Sequence, residues 1–126
     1  MTDSKFLDSS AWLSYFYATN QEVKSIIESN TLLFTSVISI FEIKNKLTKE
    51  KINKIKIQRL IEFIKKRSLI INIDSEIAEK AVEFSINNNL HTVDALIYSS
   101  SLTNNSILIT LDNDFGNLEK VIVLAD

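Results

Sequence analysis

Residues 5–13, KFLDSSAWL, open with a short apolar run that stops on an acid, Asp8, and pass through two serines into a new apolar stretch. A run of this length bounded by polar residues suits a buried strand, and serines after it suit the start of a helix near Ala11. The same arrangement returns at residues 107–115, ILITLDNDF, where the run 107–111 stops on Asp112 and Asp114 follows two residues later. Further apolar runs stand at 32–34, 69–73 and 121–124. Segments with helical spacing separate them, at 11–18, 22–29, 37–47, 51–66, 76–87 and 93–102, with Ser, Asp or Thr available as N-caps. Strands alternating with helices predict a central, mainly parallel sheet covered on both faces, a three-layer α/β/α sandwich. In such folds ligands bind beyond the carboxyl ends of the strands.

Working outward, 126 residues with 45% hydrophobic content suffice for one domain, expected to span residues 1–126, and are too few for two. The chain has no proline and one glycine, Gly116, and neither a linker nor a repeat interrupts it. It has no cysteine, which excludes disulfides, thiolate nucleophiles, cysteine-bound zinc and iron–sulfur clusters. One histidine, His91, is too few for a histidine-rich metal site. The N-terminus lacks a basic stretch followed by a long apolar one, and no window approaches the ~20 apolar residues of a membrane span. A cytoplasmic protein without membrane attachment is therefore expected, and its chemistry falls to carboxylates.

Asp8 is placed at the carboxyl end of the first strand, where it is either a helix cap or a functional acid. Glu42, in TSVISIFEIKNKL, is flanked by Phe41 and Ile43 and interrupts an apolar surface. A half-buried Glu is costly unless paired or bound to a cation, although a reach to Lys46 would also explain it. Asp94, in HTVDALIYSSSL, falls in the first turn of a helix capped by Thr92 or His91, where the macrodipole favours an acid without any function. Asp112 and Asp114 follow the late strand, and Asp-Asn before a glycine is ordinary turn chemistry. The bland readings weaken when the acids are taken as a set, because the fold rule puts all of them on one rim of the sheet.

Carboxylates that converge repel one another unless protonated or neutralised by a cation. An all-oxygen donor set without His or Cys selects Mg²⁺ or Mn²⁺ over zinc or copper. Such a site activates water and stabilises charge on a phosphate, so phosphodiester hydrolysis is the natural reaction class.

Taken in order, an Asp closing the first strand (FLDSSAWL, Asp8), a Glu in the helix after the second (SVISIFEI, Glu42), an Asp opening a late helix (TVDALIYSSS, Asp94) and the pattern T-x-D-x-D-F (TLDNDF, 110–115) resemble the PIN-domain nucleases, and specifically the VapC toxins. The resemblance runs over nearly the whole chain. It implies a Mg²⁺- or Mn²⁺-dependent endoribonuclease, the toxin of a VapBC-type pair. Asp8, Glu42, Asp94 and Asp112 would be its catalytic and metal-binding acids, Asp114 a further ligand, and Thr110 a residue that orients a ligand or water. Whether Asp112 or Asp114 is the principal fourth ligand stays open. Two departures from the family pattern bear on packing: serines at 99–101 replace an alanine-rich helix, and Asn104-Asn105-Ser106 stands where a glycine turn is common.

The charges are segregated. Ten of the fourteen Lys and Arg lie between Lys44 and Arg67 against two acids, Glu50 and Glu62, although the formal net charge is -2. This is either a solvated helical face or a track for phosphates beside the acidic rim. Lys44 and Lys46, which follow Glu42 closely, and Arg59 are the first candidates for RNA contact, with residues 65–67 farther along. The same segment carries Ile52, Ile55, Ile57, Leu60, Ile61, Phe63 and Ile64, more apolar positions than one core-facing stripe needs. By resemblance, this region would hold a VapB-like antitoxin and form a homodimer, and the substrate would be a structured RNA of the tRNA or ribosomal RNA class. Two rival readings remain. One is a PIN-like module that binds RNA or protein without cutting. The other is a receiver-type or phosphoryl-transfer domain, disfavoured because Asp8-Ser9-Ser10 lacks a paired D-x-D.

Overall fold

A computed structural model of the chain describes residues 3–125. In the described residues five strands and six helices follow the order β1 (Lys5–Leu7), α1 (Ser9–Tyr17), α2 (Gln21–Ile27), β2 (Leu33–Ser36), α3 (Val37–Lys49), α4 (Lys54–Arg67), β3 (Leu69–Ile71), α5 (Ser75–Asn87), α6 (Thr92–Thr103), β4 (Ile107–Thr110) and β5 (Val121–Val123), with a 3-10 turn at Asn113–Phe115. The strands form one sheet in the order β3-β2-β1-β4-β5. Every neighbouring pair is parallel, with Phe6 beside Phe34 and Leu108, and Leu7 beside Thr35 and Ile109. The expected parallel sheet is present, and its boundaries differ from the sequence reading by a few residues at most strand and helix ends.

Side chains alternate across each strand, so consecutive apolar residues serve opposite faces. Leu7, Leu33 and Ile109 pack with Trp12, Val23, Ile43, Leu47, Ile61 and Ile64, which puts α1 to α4 on one side. Phe6, Phe34 and Leu108 pack with Ala81, Ala95, Ile97 and Tyr98, which puts α5 and α6 on the other. This is the three-layer sandwich, and burial on both faces is why its strands read as short unbroken apolar runs.

With so little glycine, left-handed turn positions are filled by other residues: Ala18, Lys51, Asn89, Asn105, Asn117 and Lys120 all have positive φ. Asn105, at φ 50, supplies the turn for which the sequence offered no glycine. The serines of α6 are buried and bonded. Ser99 Oγ donates to the Ile77 carbonyl at 2.8 Å, tying α6 to α5, and the Ser101 and Ser106 hydroxyls each donate to the other residue's carbonyl.

A directed chain of hydrogen bonds crosses the opposite layer. Trp12 Nε1–H donates to Thr35 Oγ1 at 3.0 Å, and Ser68 Oγ donates to the Ile64 carbonyl at 2.7 Å. Because each hydroxyl has one proton, the 2.8 Å contact between Thr35 and Ser68 must run from Thr35 to Ser68. Replacing Thr35 by Val keeps the shape but leaves the buried indole N–H without this partner. Thr35→Val should therefore lose about 1–3 kcal/mol in urea unfolding.

Candidate active site

Because the strands are parallel, their carboxyl ends share one edge. The chain steps outward from β1 through β2 to β3, then returns to the other side of β1 for β4 and β5. Between β1 and β4 the crossovers diverge to opposite faces, which opens a crevice at the carboxyl edge. Asp8 follows β1 directly, and Asp112 stands two residues beyond β4.

Asp8 is 6% exposed and is the N-cap of α1, with Ala11 N–H donating to its Oδ1 at 3.0 Å. Ser9 and Ser10, read from sequence as caps, are instead the first helical residues. Capping is only part of the role of Asp8. Ser10 Oγ donates to Oδ1 at 2.6 Å, and Thr110 Oγ1, from the neighbouring strand, donates to Oδ2 at 2.5 Å. Burial pushes the Asp8 carboxyl up to about 6, the bonds from Ser10, Thr110 and Ala11 oppose that rise, and the charge on Asp112 adds to it.

Asp94 lies half-buried in the first turn of α6. His91, one of the two caps expected, is the N-cap residue but makes no side-chain capping bond, and Thr92 is the first helical residue. A helix dipole alone would hold this carboxyl low. It is instead pushed up to about 6 by burial and then by Asp112, Asp114 and Asp8, with His91 opposing. Burial, with the repulsion of three acids added to it, outweighs the dipole here.

Glu42, half-buried on α3, is raised by burial and by the charge on Asp94, and the Ser9 side chain opposes that rise. The Lys46 partner considered from sequence is engaged elsewhere, 3.5 Å from Glu50. Asp112 Oδ1 accepts the Asp114 N–H at 2.9 Å, and the Asp112 N–H donates to Thr110 Oγ1 at 3.0 Å. Carboxylate oxygens of Asp94, Asp112 and Asp114 lie within 4.8 Å of one another. Asp8 and Glu42 stand outside that tight group, yet Asp8 interacts electrostatically with Asp94 and Asp112, and Glu42 with Asp94.

The donor set fits a hard divalent cation. Two oxygens on opposite sides of a Mg²⁺ ion are about 4.2 Å apart, so the observed spread closes with small side-chain rotations. Thr110, expected to orient a ligand or water, orients Asp8 and the backbone of Asp112. Sequence reading missed Ser9 and Ser10 as partners of the acids. Their signal was two hydroxyls directly after Asp8.

Lys44, Lys46 and Arg59 are exposed. Lys44 joins Thr48, Lys51, Ile52, Lys54 and Ile55 along a groove of about 640 Å³ between α3 and α4, and none of the acids lines it. Arg67 is not available to phosphate as the sequence suggested, because its guanidinium donates to the carbonyls of Ile27, Ser29 and Thr31 at 2.6 to 3.0 Å.

The raised carboxyls have a consequence for stability. A carboxyl whose folded pKa lies above its unfolded value of 3.8 keeps its proton longer in the folded state, so its contribution is fully present below that value and is lost as pH rises through about 6. For buried Asp8 the shift amounts to about 3 kcal/mol. The metal-free chain should therefore melt at a lower temperature at about pH 7.5 than at about pH 5, and Asp8→Asn should flatten that dependence. A melting temperature that rises over this interval in EDTA would show that the acids are not mutually destabilised.

A model of the PIN domain family matches residues 5–121. No curated protein sequence matches significantly. Among solved structures, the chain is similar to a toxin–antitoxin complex from Klebsiella pneumoniae, at 24% identity and TM-score 0.79 over 95% of this chain and 97% of that one. It is similar to VapBC2 from Rickettsia felis bound to a DNA fragment from its promoter, at 18% identity and TM-score 0.78 over 96% and 97%. It also resembles VapC20 of Mycobacterium tuberculosis, described as a sarcin-ricin loop cleaving toxin, at 14% identity and TM-score 0.75 over 98% and 100%. Identities this low speak for the fold alone, and it is the sequence match across nearly the whole chain that decides membership: the chain belongs to the PIN domain family.

Proposed function

We propose that the chain is a Mg²⁺- or Mn²⁺-dependent endoribonuclease and the toxin of a VapBC-type toxin–antitoxin pair. The observation that carries the reading is the convergence of Asp94, Asp112 and Asp114, with Asp8 and Glu42 electrostatically linked to them, at the carboxyl edge of a PIN-domain sheet. Asp94, Asp112 and Asp114 would hold the ion, joined as ligands by Asp8 and Glu42, and Asp8, Glu42, Asp94 and Asp112 would be the catalytic acids. When bound, the ion supplies an acidified water and neutralises charge on the phosphate under attack. Ser10 and Thr110 keep Asp8 in place, and the Ser9 side chain favours the charged form of Glu42. RNA as the polymer, of the tRNA or ribosomal RNA class, is supported by the neighbour described as a sarcin-ricin loop cleaving toxin.

Lys44, Lys46 and Arg59 are the proposed contacts to the RNA backbone. The exposed Lys46–Glu50 pair is weak enough to yield to a phosphate. A VapB-like antitoxin is the proposed protein partner, supported by the neighbours that are toxin–antitoxin complexes. The α3–α4 groove suits it, since isoleucines at 52, 55 and 57 offer apolar seats and lysines at 44, 51 and 54 favour an acidic helix. A homodimer belongs to the same reading. Val37 and Phe41, one turn apart on α3, are 41% and 69% exposed and provide an apolar patch. Among the described residues no helix is long and apolar enough to cross a membrane.

The test is cleavage of RNA by the purified chain. Activity should require Mg²⁺ or Mn²⁺, vanish with EDTA and return on adding metal. Asp8→Asn and Asp94→Asn should each lower it at least about a hundredfold while the variants stay folded. Cleavage that survives EDTA or both substitutions would refute the proposal. A folded chain that binds RNA without cutting it under any metal condition would identify a binding module.

A further inference from the structure

We infer that Ser10 is a positioning residue of the acid cluster, holding one oxygen of Asp8 and, through the backbone of Leu111, the turn that carries Asp112 and Asp114. The inference rests on the metal-dependent reading above. Ser10 Oγ lies 2.6 Å from Asp8 Oδ1 and 2.9 Å from the Leu111 nitrogen. A hydroxyl has one proton and two lone pairs. The Leu111 N–H can only donate and an ionised carboxylate can only accept, so both ends of the link are fixed in direction. Leu111 donates to Ser10, and Ser10 donates to Asp8.

Thr110 repeats the arrangement, accepting from Asp112 N–H and donating to Asp8 Oδ2. Successive backbone N–H groups, of Leu111 and Asp112, are thus held by hydroxyls whose protons go to the two oxygens of one carboxylate. The two hydroxyls are 3.3 Å apart, and with Asp8 ionised both protons are already committed to it. Thr110 belongs to the strand it serves, whereas Ser10 reaches from α1 across 101 residues of sequence. It makes the geometry of the late turn depend on the first helix.

The same bonds decide which oxygen of Asp8 can face a cation. Oδ1 accepts from both Ser10 and Ala11, so its two lone pairs are in use. Oδ2 accepts from Thr110 and keeps one. Asp8 is thereby set to offer Oδ2 alone. Without the Ser10 hydroxyl, Oδ1 regains a free pair, the carboxylate can turn, and Leu111 loses its tether. Loss of such an outer partner typically lowers metal affinity or activity about 10- to 100-fold.

The experiment compares the wild-type chain with Ser10→Ala, Ser10→Thr and, as a buried hydroxyl in α6, Ser101→Ala. Mn²⁺ binding is measured by calorimetry without RNA, kcat and KM on one fixed RNA, and stability by urea unfolding in EDTA. Ser10→Ala should bind Mn²⁺ about 10- to 100-fold more weakly and lose kcat in proportion, with KM for RNA changed by less than about twofold. Ser10→Thr should restore both, and Ser101→Ala should change only the unfolding midpoint. Wild-type affinity for Mn²⁺ in Ser10→Ala overturns this inference and leaves the nuclease reading standing, whereas a wild-type chain that binds no Mn²⁺ overturns both. If Ser10→Ala does not fold, Ser10→Cys, with similar volume and a weak donor, is judged by the same criterion.

Discussion

Negative charge gathered at the carboxyl edge of the sheet cannot relax by spreading, because the five carboxylates are fixed to four separate elements. Asp8 sits at the junction of β1 and α1, Glu42 on α3, Asp94 on α6, and Asp112 and Asp114 on the turn after β4. Two unit charges separated by about 4.8 Å repel by roughly 1 kcal/mol in water and about 3 kcal/mol near a protein surface. Several such pairs are comparable with the 5–15 kcal/mol that typically separates a folded domain from its unfolded chain. Protons on the raised Asp8 and Asp94 carboxyls, or a cation beside them, relieve this edge near neutral pH. The hydroxyls of Ser10 and Thr110 and the N–H of Ala11 offset only the burial of Asp8. They do nothing for Asp94, whose carboxyl is pressed by three other acids.

The fold was legible because it rests on patterns that local sequence must carry. A strand covered on both faces reads as a short apolar run, as 6–7 and 107–109 do; between these strands the helical spacing of 76–87 and 93–102 marks α5 and α6 within a residue of their observed bounds. Composition also showed that turns would have to form without glycine. Which residues would take the left-handed positions was not legible, since Ala18, Lys51 and Lys120 carry no local signal for positive φ. Those conformations are imposed by what the chain joins on either side.

At the acid cluster the division falls between type and partner. Carboxylates at the ends of strands are visible in sequence because the sheet rule converts position along a strand into position in space. Hydrogen-bond partners are not, because they depend on which elements become neighbours. Ser10 looks like a helix cap from the residues around it, and only the parallel pairing of β1 with β4 brings Leu111 N–H and Thr110 to it. Glu42 has Lys46 one helical turn away on its own helix, the usual distance for an ion pair, yet Lys46 turns to Glu50 and the group that favours the charge of Glu42 is Ser9 on α1. Ser10 keeps its local bond to Asp8 and adds the tertiary one to Leu111.

The cationic stretch shows the converse error, in which a count along the chain overstates what is available in space. Arg67 has its guanidinium committed to three backbone carbonyls around the entry to β2, so it fastens the layer of α2 and α4 and is lost to any ligand. Lys46 shares its charge with Glu50. Lys44, Lys51 and Lys54 instead face one groove with isoleucines among them, on a wall that contains none of the acids. Exposed charges interact weakly beyond a Debye length of about 8 Å at physiological salt. Among the described residues no lysine or arginine offsets the raised Asp8, Glu42 and Asp94 carboxyls. The groove lysines act on whatever lies against them, and a cation at the sheet edge would be held by the carboxylates themselves.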